Sequence, residues 1–155
     1  MNPDFLREAI RLSRESAMAL RGGPFGAVVV QNGAIVGRGW NQVTATNDPT
    51  AHAEVVAIRA ACAHLQRFSL AGCEIYCSCE PCPMCLAAIY WSRLDRIVYA
   101  ATSADAAAAG FDDRAIYDEL VGLPRDRSIP AEQALRDEAE VVLVAWQQSP
   151  GRICY

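Results

Sequence analysis

The chain has 155 residues, 52% of them hydrophobic and 21% charged, with a formal net charge of −4. That length supports one domain with its own core, and the mixed composition excludes collagenous, low-complexity and disordered classes. An acidic balance without a basic stripe favours a small or neutral substrate, so no nucleic-acid partner is expected.

No apolar run reaches the roughly 18 residues that a membrane span needs, so no membrane partner is expected. The opening residues lack a basic segment followed by an apolar one, which points to a cytoplasmic location. Seven cysteines, four of them within Cys77–Cys85, then read as reduced thiols available to a metal rather than as a disulfide framework.

In chain order, Phe5, Ala9, Leu12, Ser16 and Ala19 form a helical stripe over residues 3–20, ended by Arg21-Gly22-Gly23-Pro24. Ala27–Gln31 and Ala34–Trp40 flank Asn32-Gly33, the signal of a type I′ hairpin. Asn41–Asp48 is polar and turn-rich, and Asp48-Pro49 supplies a cap and a first-turn proline for a helix reaching about Leu65. Glu74–Ser78 predicts a strand, Pro83–Ser92 a buried helix and Arg96–Ala101 another strand. Short helices are expected from Ala104 through FDDRAIYDEL. Val141–Trp146 is expected to close the sheet as its fifth strand, with residues 147–155 as a tail. Pro124–Pro130 is too short to separate domains, so residues 1–155 read as one α/β domain with a mixed sheet between helices.

The chemistry concentrates in His52-Ala53-Glu54 and Pro81-Cys82-Pro83-Met84-Cys85. Cys82 and Cys85, at i and i+3, can aim both thiols at one point near a helix start, where the positive end of the helix favours thiolates. One imidazole and two thiolates make three ligands. Zinc prefers four, so one position is left for a water whose pKa falls to about 7. Glu54, two residues from a ligand, is placed to move protons. On a regular helix i and i+2 diverge by about 200°, so His52 and Glu54 converge only at the mouth of a helix. Cys79 and Cys82 are themselves a C-x-x-C pair, and a closed structural knuckle completed by Cys77 or Cys79 is the competing arrangement.

The order H-A-E…P-C-x-x-C is the signature of zinc nucleobase deaminases. With GGPFGAVVV, NDPTAHAEVVAIRAAC, CSCEPCPMCLAAIYWSR and AGFDDRAIY, the chain resembles the bacterial guanine deaminases of the cytidine-deaminase-like zinc hydrolase superfamily over nearly its whole length. That resemblance implies a three-layer α/β/α sandwich around a five-stranded mixed sheet. It implies one Zn2+ per subunit on His52, Cys82 and Cys85, and Glu54 as the catalytic proton shuttle. It also implies purine contacts from Phe25, Asn41, Ala53, Trp91, Asp113 and Tyr155, with Asp112 able to exchange roles with Asp113. The expected reaction is hydrolysis of free guanine to xanthine and ammonia. The partner arrangement is a homodimer, with exchanged C-terminal tails closing the sites as one form of it. Guanosine, cytosine or cytidine deamination, tRNA adenosine deamination and a non-catalytic zinc module are the alternatives.

Overall fold

The computed structural model describes residues 2–123 and 127–154, which form two compact units, Met1–Asp113 and Arg114–Tyr155. Helix α1 (Pro3–Met18) starts where Asn2 caps the Asp4 N–H and Pro3 takes the first turn. Strands β1 (Gly26–Gln31) and β2 (Ala34–Trp40) are joined at Asn32 and Gly33. Both have positive φ, as the turn signal requires. A short helix α2 (Val43–Thr46) precedes α3 (Ala53–Leu65), β3 (Cys73–Cys79), α4 (Pro83–Trp91), β4 (Arg96–Ala101) and α5 (Ser103–Ala108).

The sheet order is β2-β1-β3-β4, with β1 antiparallel to β2 and β3, and β3 parallel to β4. Alternation along each strand sends side chains to two cores. Val28, Val30 and Tyr76 pack with Leu12 and Phe5 of α1, where the Phe5 and Tyr76 rings meet edge to face at 5.4 Å. Ala27, Val29, Ile75 and Cys77 pack on the other face with Ala53, Ala57 and Ala61 of α3 and Ile89 of α4. α1 therefore covers one face, and α3 and α4 the other.

The sheet has four strands, not the five expected. Val141–Trp146 lies within helix α7 (Arg136–Gln148) of the second unit, whose other helix is α6 (Arg114–Val121). The β-branched run reads as a strand in isolation. It is instead carried by the helix-forming RDEAE ahead of it, with Asp137 and Glu138 at the positive helix end and an Arg136–Glu140 pair at 2.9 Å. The expected tail thus begins in the last turn of this helix. No helix among the described residues is long and apolar enough to cross a membrane.

A second correction concerns the start of α3. Asp48 does not cap a helix: its carboxylate accepts from the Thr50 N–H and hydroxyl in a local turn, and α3 opens only at Ala53. The helix sits very close to β2. A Cβ on Gly37 would lie 2.4 Å from the Ala57 carbonyl oxygen, and one on Gly39 would lie 2.1 Å from that of Ala53. Gly39 therefore sets where the first turn of α3 stands.

Two predictions follow from these contacts. Gly39→Ala must push the start of α3 off the sheet, so urea denaturation should show a loss of about 1–3 kcal/mol, and zinc affinity should fall with it. Across the α1–β2 boundary, hydrogen-bonded Arg11 and Arg38 hold the Glu8 carboxyl down to about 2, from an ordinary value of 4.5. A depressed carboxyl stabilises the fold above its unfolded pKa and loses that contribution as pH falls through the folded one. Glu8→Gln should thus cost on the order of 1 kcal/mol at pH 7, and the deficit against wild type should shrink between pH 4.5 and pH 2.

Candidate metal centre and cavity

The two metal motifs lie at helix starts. His52 is the N-cap of α3 and Cys82 the N-cap of α4, both with extended backbone (ψ 156° and 168°). Neither side chain makes a capping hydrogen bond. Pro83 fills the first turn of α4 and leaves Cys85 two residues on, fully buried. Because His52 is not helical while Glu54 is in the first turn, the two side chains converge despite their i, i+2 spacing.

His52 Nδ1 lies 3.5 Å from both Cys82 Sγ and Cys85 Sγ. A tetrahedral ion about 2.3 Å from sulfur and 2.0–2.1 Å from nitrogen sets an S···N separation of about 3.5 Å, so these three atoms fit zinc. The ligand atom on the imidazole is Nδ1. Cys82 is pushed down to about 4, first by the hydrogen bond from Cys85 and then by the nearby His52, while Cys85 is pushed up by its bond to Cys82 and by burial. A bound cation would take both as thiolates.

Glu54 is buried, and its Oε2 lies 3.4 Å from Cys85 Sγ. Burial pushes its carboxyl above the ordinary carboxylate range. The competing thiols are used elsewhere. Cys77 is buried in the sheet core, and Cys79 Sγ donates to the Thr102 carbonyl at 3.4 Å. Among the described residues, the cluster of metal-ligating side chains is His52, Cys82 and Cys85.

A cavity of about 340 Å³ opens over this cluster, lined in part by His52, Glu54 and Cys82. Phe25, Asn41 and Asp113, three of the expected base contacts, line it. Asn41 is 6% exposed, and its Oδ1 accepts from the backbone N–H of Gly23 and of Val43 at 3.1 and 3.3 Å. The amide NH2 is the part left for a ligand. Burial first, and the neighbouring Cys82 second, push the Asp113 carboxyl above its ordinary range.

Two expected contacts are not brought to the cavity. Trp91 ends α4 and is 63% exposed, and Ala53 is buried beneath the first turn of α3 without lining the space. Tyr155 lies outside the described residues. The sequence reading missed Val43, Thr44, Glu80 and Phe111, which also line the cavity. Glu80 immediately precedes Pro81-Cys82, and its position in the metal motif was the available signal. The Glu80 carboxylate accepts from the Ser103 N–H at 2.9 Å, tying the segment after β4 to the metal loop.

Residues 2–101 match the family described as the cytidine and deoxycytidylate deaminase zinc-binding region. The chain is 52% identical over 143 residues to the guanine deaminase of Bacillus subtilis, covering 92% of each. The solved structure of a Bacillus subtilis guanine deaminase superposes with a TM-score of 0.96, over 100% of this chain and 99% of that one, at 49% identity. A guanine deaminase from Nitrosomonas europaea aligns at a TM-score of 0.68 and 35% identity, over 73% of this chain and 65% of that one. A tRNA-specific adenosine deaminase of Aquifex aeolicus is 41% identical over 99 residues, 63% of this chain and 64% of its own.

Metal analysis of single variants checks the ligand set. Cys79→Ser should retain about one zinc per chain, whereas Cys82→Ser and His52→Ala should be purified with little or none.

Proposed function

The chain belongs to the cytidine and deoxycytidylate deaminase zinc-binding family, and from that premise we propose that it hydrolyses free guanine to xanthine and ammonia. The observation that carries the choice of base is the polarity of the cavity. Asn41 has its oxygen committed to the backbone, so it offers a donor. Glu80, Asp112 and Asp113, on other segments of the lining, offer carboxylate oxygens. Guanine meets both, with acceptors at O6 and N7 and donors at N1–H and the 2-amino group. The distinction lies beside the scissile amine. In guanine one neighbouring ring nitrogen carries a hydrogen, which a carboxylate can accept; in adenine and cytosine the nitrogen next to the amino carbon is a bare acceptor, which a carboxylate repels. A buried polar mismatch of this kind costs on the order of 1–3 kcal/mol.

Zinc on His52, Cys82 and Cys85 would supply the Lewis acidity that makes water nucleophilic near neutral pH. Glu54 takes the proton from the attacking water at Oε and hands it to N3 as C2 becomes tetrahedral. It then takes the remaining proton from the new C2 hydroxyl and passes it to the leaving amine, so that ammonia departs as the C2–N bond breaks and the C2 carbonyl forms. Phe25 supplies an apolar surface for the base, and Asp113 accepts from the N1–H and amino edge. Tyr155 is read, through the resemblance alone, as closing the site within a homodimer in the cytoplasm. The exposed apolar residues Val141, Leu143 and Val144 of α7 support self-association.

Ammonia release by the zinc-loaded protein on guanine, guanosine, adenine, adenosine, cytosine and cytidine tests the reading. Guanine should be turned over preferentially. Glu54→Gln should keep its zinc and lose roughly 10³-fold in kcat. Preferential turnover of adenine or cytosine, or an active Glu54→Gln enzyme, would overturn the assignment.

A further inference from the structure

Beyond β4 the chain runs from Thr102 to Asp113 along one side of the cavity, through α5 and then Gly110 and Phe111 to the two aspartates. At its start this strap is tied to the metal loop, where Glu80 accepts from Ser103 N–H and Cys79 donates to the Thr102 carbonyl. The Thr102–Asp105 capping box then closes the strap locally on itself. At the far end the tie is aromatic. The Phe111 ring meets Phe25 edge to face, with centroids 4.9 Å apart and planes at 86°.

Space lies on both sides of that contact. The 340 Å³ cavity over the metal cluster and a second cavity of about 230 Å³ are each lined by Phe25 and Phe111. The second runs from Ile10 of α1 to Ala106 and Ala109 of the strap. The ring pair therefore bridges the strap to the body of the unit between the two cavities. Phe111 itself is 45% exposed, so simple burial does not account for its placement.

We propose that Phe111 is a positioning residue for substrate recognition: by docking on Phe25 it holds Asp112 and Asp113 at the cavity wall. The proposal rests on reading the cavity as the base-binding pocket. Its action runs through the aspartates, so it affects binding of the base far more than the chemical step. An edge-to-face aromatic contact is worth about 0.5–1.5 kcal/mol, up to roughly ten-fold in a binding constant. Phe111→Ala should accordingly raise KM for guanine by about ten-fold at most and change kcat by less than about three-fold. Phe111→Tyr, which keeps the ring, should restore the wild-type KM.

Two further measurements separate positioning from general damage. Zinc content should be unchanged in every variant. Amide hydrogen exchange over residues 102–113 should accelerate in Phe111→Ala and return to wild type in Phe111→Tyr. In a double-mutant cycle, the KM cost of Asp113→Asn should be smaller in the Phe111→Ala background than in wild type, because a carboxylate already out of place has less to lose. Additive KM costs, a fall in kcat at constant KM, or unchanged exchange over 102–113 would each overturn the proposal. If Phe111→Ala does not fold, Phe111→Leu carries the same comparisons. If the wild-type protein turns over no guanine, the deaminase reading fails on its own, and the exchange of residues 102–113 still decides whether Phe111 docks the strap.

Discussion

The structure depends on two helix N-termini that meet at one point. α3 and α4 both begin at residues whose side chains are withheld from capping, His52 and Cys82. Leaving first-turn N–H groups without a side-chain cap costs stability. The return is a pair of positive helix ends facing a cluster that must hold two thiolates and a carboxylate. The extended backbone at each cap also turns the ligand side chain across the helix mouth. The centre is held in place by packing: α3 rests against Gly37 and Gly39 of β2, and α4 contributes Ile89 to the same core as Ala57 and Ala61.

Around that fixed centre the support differs from one wall to the next. Asn41 follows directly on β2, and its oxygen is fastened by two backbone N–H groups. Its orientation is thus determined by the backbone rather than by any ligand. The acidic wall is built differently. Asp112 and Asp113 stand at the end of a mostly exposed strap, tied by a carboxylate at one end and a ring contact at the other.

The comparisons divide along the same line. The family match ends at residue 101, where β4 ends and the strap begins. The tRNA-specific adenosine deaminase covers 63% of the chain, whereas the Bacillus subtilis guanine deaminase continues through nearly all of it. The metal ligands and Glu54 lie inside the family match, and Phe111, Asp112 and Asp113 lie outside it.

The sequence by itself determined most of the sheet and confined the metal site to His52 and the thiols between Cys77 and Cys85, with His52, Cys82 and Cys85 as the set the resemblance implied. Ligand type and turn type are local properties, and Asn32-Gly33 announced the hairpin through its demand for positive φ. What remained ambiguous were choices that depend on distant neighbours. Cys77 and Cys79 are chemically as able to bind metal as Cys82, and only the path of β3, which buries one and turns the other to Thr102, removes them. Val141–Trp146 has strand composition, yet an acidic helix start and an i, i+4 ion pair make it helical. Val43 and Thr44 carry no motif of their own, and Glu80 and Phe111 sit in motif stretches that assigned them no role. Their place at the cavity comes from the approach of segments far apart in sequence, which spacing along the chain does not encode.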